Sequence, residues 1–258
     1  MTPELHAVVA PLTDLCGRPG GPRERQLLHG EGFLVERTRN GWALGETAKD
    51  GYPGHVALAD LGPPILPTHR IAAPATHVYP APDMKSGGGH ALPFAALVEA
   101  IPEETKGNGF VALTNGSFIP ARHLAPVEHL YVDPVTVAEM FLGTPYLWGG
   151  NSIWGIDCSG LVQAALLLCG MECPADSHLQ EKAVGREIGD DEPTERGDLL
   201  FWKGHVAIAA DDSTLIHANA HHMAVVREPI ESAIIRIADQ GDGFPTSRRR
   251  PGRPDGGC

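Results

Sequence analysis

Cys158 and the pair His205 and His217 are the residues in this chain whose types and spacing suit nucleophilic catalysis. The stretch TPYLWGGNSIWGIDCSGLVQAALLLCG, Thr144 to Gly170, brings Gly149, Gly150 and Gly155 together ahead of Cys158. The Ala- and Leu-rich run after Cys158, with Gly170 as its stop, reads as a helix. Cys158 therefore falls at a helix N-terminus, where free N–H groups and aligned peptide dipoles favour an anion. The thiolate is the reactive form of cysteine, so the placement suits a nucleophile. The plain alternative is a buried, inert thiol.

A nucleophilic thiol needs a base. GDLLFW, HVAIAA and TLIHAN, within residues 197–219, read as three consecutive strands, with Asp211-Asp212-Ser213 turning between the last two. A turn centred on Asp211 sets His205 directly opposite His217, on one face of the sheet. One imidazole would then take the thiol proton while the other holds its tautomer. A one-residue change of register would put them on opposite faces.

The elements upstream look duplicated. VVAPLTDLC (Val8–Cys16) and IAAPATHVY (Ile71–Tyr79) open two units that HVALADLG (His55–Gly62) and FIPARHLA (Phe118–Ala125) close. Pro11 and Pro74 are 63 residues apart, as are Leu61 and Leu124. Inside the units, apolar runs alternate with turn signals: Asn40-Gly41, Asp50-Gly51, Gly107-Asn108-Gly109 and Asn115-Gly116. Both read as small antiparallel barrels. Pro63, Pro64 and Pro67 mark the link between them; Pro126 and Pro134 bracket the next, after which VTVAEMFLG reads as a helix ending at Gly143. The Arg-rich, Gly/Pro-rich end, Arg248–Cys258, has no apolar periodicity and reads as disordered.

Composition limits the partners. The chain of 258 residues carries 32 acidic against 20 basic side chains, a formal charge of -12, which argues against nucleic acid. No apolar run reaches membrane-spanning length, so no membrane partner is expected. The N-terminal residues lack the pattern of a secretory signal, which favours a cytoplasmic location. Five cysteines at scattered spacing are not a disulfide framework. Cys169 and Cys173 have no second pair to complete a zinc site, and His221-His222 lack zinc spacing, so no metal and no cofactor are expected.

The order YLWGG, DCSGL, GDLLFW, GHVAI, LIHA resembles the NlpC-type cell-wall cysteine peptidases, papain-like enzymes that cleave peptidoglycan stem peptides. The resemblance spans about 130–235 and implies Cys158 as nucleophile, His205 as base, His217 as orienting residue and Tyr146 as a stabiliser of the oxyanion. Packing beside the glycine loop is the alternative for Tyr146. The first N-terminal unit, LLHGE, GW, DGYPGHV, DL, resembles bacterial Src-homology-3-type domains. Two such barrels before such a catalytic domain resemble the recycling peptidases that cut between γ-D-glutamate and a diamino acid, diaminopimelate or lysine, in peptides with a free N-terminal L-alanine.

The expected class is thus α+β, with all-β barrels at 1–64 and 65–127, a papain-like domain at 128–245 and a disordered tail at 246–258. The resemblance further implies that Asp157 binds the substrate ammonium and that Ser159 and Ser177 hydrogen-bond the peptide. Capping of the Cys158 helix is the alternative for Asp157. Glu24 and Tyr52 are the first-barrel candidates for substrate contact; packing on its own barrel is the alternative for Tyr52. The expected partners are peptidoglycan-derived peptides. Competing functions are a secreted hydrolase of intact peptidoglycan, a non-catalytic wall-peptide binder, and an acyltransferase on the same fold.

Overall fold

The computed structural model describes residues 2–87, 89–106, 109–189 and 191–252, with backbone alone for 102–106. The chain divides into two compact units, residues 1–129 and 130–258. The combination is α+β, with strands predominating.

Among the described residues, the N-terminal unit is built from strands and two 3₁₀ turns. Its first half is a seven-stranded antiparallel sheet closing over Val8, Leu15, Leu27, Phe33, Val35, Ala43 and Val56. Asn40 and Gly41, both at positive φ (50° and 79°), form the two-residue turn that joins Gly32–Arg39 to Trp42–Thr47. Such a turn matches the strand twist and needs residues that tolerate the left-handed region. The second half gathers Ile71, Leu92, Val98, Val111 and Ile119 into another apolar cluster, which Leu28 of the first half joins.

The 63-residue repeat is visible in the backbone. A 3₁₀ turn at Leu58–Asp60 leads into the strand Leu61–Gly62, and another at Ala121–His123 leads into Leu124–Pro126. Ala57 and Pro120, the residues before these turns, have nearly identical dihedrals (φ -61°, ψ 125° and φ -56°, ψ 126°). Of the expected turns, Asn115-Gly116 is formed, with Gly116 at φ 83°. In Gly107-Asn108-Gly109, the first two residues lie outside those described.

The C-terminal unit packs helices against a six-stranded sheet. Its strands are β1 (Arg186–Glu187), β2 (Leu199–Trp202), β3 (His205–Ala209), β4 (Thr214–Asn219), β5 (Ala224–Pro229) and β6 (Ser247–Arg250). They are hydrogen-bonded in the antiparallel order β1-β6-β2-β3-β4-β5. Helices α1 (Pro134–Glu139), α2 (Cys158–Leu167), α3 (Ser177–Ala183) and α4 (Ile230–Asp239) accompany the sheet. Leu161, Val162, Ala165 and Leu166 of α2 are fully buried, as expected of a helix sunk in a core. Helix α1 starts at an Asp133 cap with Pro134 in its first turn, and ends earlier than expected. Residues up to Gly143 (φ 84°) continue it as turns. Past α2, the Met171 N–H bonds back to Leu166 and Gly170 takes φ 76°, so the expected glycine stop is present.

The expectation of a disordered tail from 246 is corrected for Ser247–Arg250. That segment is an inner strand, β6, paired on both sides. Its arginines are anchors. Arg249 donates to the Val184 carbonyl at 2.6 Å, Arg248 to Thr194 Oγ1 at 3.0 Å, and Arg250 to the buried Asp198 carboxylate at 2.7 and 2.8 Å. A strand fixed by guanidinium groups, whose partners lie more than 50 residues away, has no local apolar signature. Residues 253–258, including Cys258, lie outside those described.

Candidate active site

The glycine loop is a tight hairpin that delivers the chain to α2. Asn151–Ser152 pairs with Gly155–Ile156, and Tyr146 bridges to Ile156. Gly149 sits at φ 69°. A Cβ at Gly155 would come within 2.7 Å of the Leu147 side chain, so close approach excludes a side chain there. Asp157 then caps α2. Its Oδ1 accepts from the Gly160 N–H at 2.8 Å and the Ser159 hydroxyl at 3.1 Å, and its Oδ2 accepts from the Gly149 N–H at 2.8 Å. One carboxylate thus satisfies the helix start and ties the loop to it.

Cys158 is the first residue of α2 and is buried. The backbone N–H groups of Val206, Ser159 and Cys158 itself favour its thiolate. Burial outweighs them, and with the Asp157 charge it pushes the thiol up to about 12. The helix N-terminus therefore aims donors at the sulfur without ionising it at rest. Tyr146 is close enough for the charges of Cys158 and Asp157 to matter. Burial, with those charges, pushes its phenol up to about 12, so it stays a hydrogen-bond donor at neutral pH.

His205 heads β3, next to the Val206 amide that faces the sulfur. The hairpin register differs from the expected one. Ile208 pairs with Ile216, so the turn centres on Asp212 rather than Asp211. The displacement is an even number of residues, which keeps His205 and His217 on one face, as diagonal rather than direct neighbours. His205 Nε2 lies 2.8 Å from His217 Nδ1, with ring centroids 5.0 Å apart. The Trp202 indole lies beside the His205 ring, centroids 5.6 Å apart. Burial, reinforced by His217 and the Arg236 cation, lowers His205 to about 3. Thiol and imidazole are thus both uncharged at neutral pH.

Two residues of the site are absent from the sequence reading. His217, fully buried, places Nε2 2.6 Å from Glu228 Oε1, and Arg236 of α4 donates to that same oxygen. Burial opposes ionisation of Glu228, but the hydrogen bonds from His217 and Arg236 prevail and hold it at about 2. Leu215 pairs with Glu228, so parity along β4 puts the carboxylate on the face of His217. That pairing was the available signal.

Of the other candidates, Ser159 lies in the first turn of α2 and Ser177 begins α3. The buried Gln180 of α3 donates to the Ser159 carbonyl at 2.9 Å, which fixes the two helices together. Glu24 and Tyr52 belong to the N-terminal unit. Glu24 is exposed; Tyr52 is half-buried against the first barrel core, its ring 5.1 Å from the Arg25 guanidinium. Cys169 and Cys173 are buried. Among the described residues no group of three or more His, Cys, Asp or Glu is placed to hold a metal, and no helix is long and apolar enough to cross a membrane.

A cysteine at the head of a helix and a histidine pair on an antiparallel sheet of the same unit are the arrangement of a papain-like fold. Residues 143–237 match the NlpC/P60 family, and residues 15–61 match the bacterial dipeptidyl-peptidase Sh3 domain. The chain is 30% identical over 220 residues to the γ-D-glutamyl-L-lysine dipeptidyl-peptidase of Bacillus subtilis (strain 168), covering 76% of this chain and 72% of that one. It belongs to the NlpC/P60 family. The match to Dipeptidyl-peptidase 6 of Lysinibacillus sphaericus is 41% identical but spans 36% of this chain and only 34% of that protein's length. The crystal structure of an NlpC/P60 family protein from Bacillus cereus ATCC 10987 superposes with a TM-score of 0.79 at 19% identity, covering 97% of this chain and all of that one, and shares the fold.

Proposed function

We propose that this peptidase cleaves the γ-D-glutamyl–diamino-acid bond of peptidoglycan stem peptides whose N-terminal L-alanine is free. The observation that carries the catalytic part is the line from the capped Cys158 helix, through the Val206 amide at the sulfur, to the 2.8 Å His205–His217 contact. The relatives' names support the choice of bond.

Because the thiol is uncharged at rest, its proton passes to His205 as sulfur attacks the γ-carbonyl carbon. The oxyanion is met by the Tyr146 hydroxyl and by the Cys158 N–H at the helix start. His205 then gives its proton to the departing amine of the diamino acid, leaving a thioester. Water, deprotonated by His205, attacks the thioester; the acid leaves and the thiol recovers its proton. Asp157, next to the nucleophile, attracts the substrate ammonium through its negative charge.

The test is to incubate the protein with L-alanyl-γ-D-glutamyl-diaminopimelate or its lysine counterpart, alongside the N-acetylated twins, and to read products by mass. The free peptides yield L-alanyl-D-glutamate and the diamino acid, and acetylation lowers kcat/KM more than tenfold, about 1.4 kcal/mol. Equal cleavage of blocked peptide or intact peptidoglycan overturns the free-amine requirement.

A further inference from the structure

The His205–His217 pair does not end at His217. Its outer nitrogen meets Glu228 at 2.6 Å, and Glu228 in turn accepts from Arg236. All four side chains belong to one unit, carried by β3, β4, β5 and α4.

Proton bookkeeping along this chain has one solution. An ionised carboxylate only accepts, so the hydrogen between Glu228 and His217 sits on His217 Nε2. His217 is neutral, which leaves its Nδ1 as an acceptor. The hydrogen in the 2.8 Å contact therefore belongs to His205 Nε2. The one unprotonated nitrogen left on His205 is Nδ1, and that nitrogen is free to take a proton from a thiol. We propose that Glu228, clamped by Arg236, is a positioning residue that sets the tautomers of both histidines and thereby makes His205 Nδ1 the base. The proposal rests on the cysteine-peptidase reading of the same site and extends it by two residues.

Glu228 and Arg236 act with opposite sign. The carboxylate favours protonation of both rings and the guanidinium disfavours it. The other groups that bear on these rings are His222, in the turn before β5, which acts on His217, and His217 itself, which acts on His205. Removing one charge of the clamp should therefore move the acid limb of Cys158 reactivity one way, and removing the other should move it the opposite way. A merely structural pair would shift stability and leave the limb in place.

The experiment measures iodoacetamide alkylation of Cys158 against pH, by peptide mass mapping, in the wild-type full chain, Glu228→Gln, Arg236→Gln and the double variant. Kcat and KM on the free-amine tripeptide and thermal melting are measured alongside. Glu228→Gln should move the acid limb to lower pH and lower kcat about tenfold or more with KM little changed, as when a histidine loses the carboxylate that orients it. Arg236→Gln should move the limb to higher pH, and the double variant should return it toward wild type. Should Glu228→Gln not fold, Arg236→Gln and the double variant still decide the sign. Folded variants whose limbs stay put, or move in the same direction, overturn the relay while leaving Cys158 as nucleophile. A wild-type Cys158 that alkylates no faster than the other cysteines overturns the catalytic reading and the relay together.

Discussion

Replacing Asp157 separates its two suggested roles, because the structural one can be sized from its hydrogen bonds. The carboxylate accepts from the N–H groups of Gly160 and Gly149, both at 2.8 Å, and from the Ser159 hydroxyl. Asp157→Ala removes a helix N-cap, about 1 kcal/mol. It also orphans the N–H of buried Gly149, about 1–3 kcal/mol. The sum, about 2–4 kcal/mol, corresponds to a fall in melting temperature of roughly 10 °C for a domain of this size. Asp157→Asn keeps a good cap through its amide oxygen but turns an N–H₂ group toward the Gly149 donor, at a cost of about 1–2 kcal/mol. It also loses the charge that would attract an ammonium. The assay pairs thermal unfolding with the kcat/KM ratio for free against N-acetylated peptide. Asp157→Asn should remain folded and lose most of the preference for the free amine. A wild-type melting temperature for Asp157→Ala refutes the capping energetics. An unchanged preference in folded Asp157→Asn refutes ammonium recognition by this carboxylate.

His205→Ala should abolish turnover almost as fully as loss of the thiol, because members of such a unit are strongly non-additive. His217→Asn should be milder, since an amide can still orient the His205 ring across the 2.8 Å contact; equal losses in steady-state kcat would mean the roles are misassigned. Arg250→Ala leaves Asp198, 1% exposed, without the guanidinium that pairs with it, and should destabilise the C-terminal unit by about 3–5 kcal/mol; a denaturant midpoint unmoved by the change would show that β6 does not depend on this pair.

What the sequence disclosed follows the range of the interactions involved. Asn40-Gly41, Gly170 and the Asp157 cap are local rules of backbone conformation, so each was readable from a few residues. The barrel repeat was readable because equal spacing of Pro11/Pro74 and Leu61/Leu124 survives in the paired 3₁₀ turns. The histidine pair was found through parity alone, which an even displacement of the turn preserved. Distant pairings escaped. Arg248, Arg249 and Arg250 look like a charged tail until Thr194, Val184 and Asp198 are brought alongside. Glu228 looks like a solvated strand carboxylate until β4 and α4 enclose it. The state of the thiol escaped too: a helix N-terminus suggests an anion, but the depth of burial that reverses the balance depends on the whole unit.

The most direct test of the account is cleavage of L-alanyl-γ-D-glutamyl-lysine by the wild-type protein and by Cys158→Ala, with products read by mass. Shrinking the first side chain of α2 should leave the fold intact, which the melting curve checks. The wild type should release lysine through an acyl-enzyme that traps on Cys158, and the folded Cys158→Ala protein should release none. Lysine release by Cys158→Ala at a substantial fraction of the wild-type rate would contradict the account.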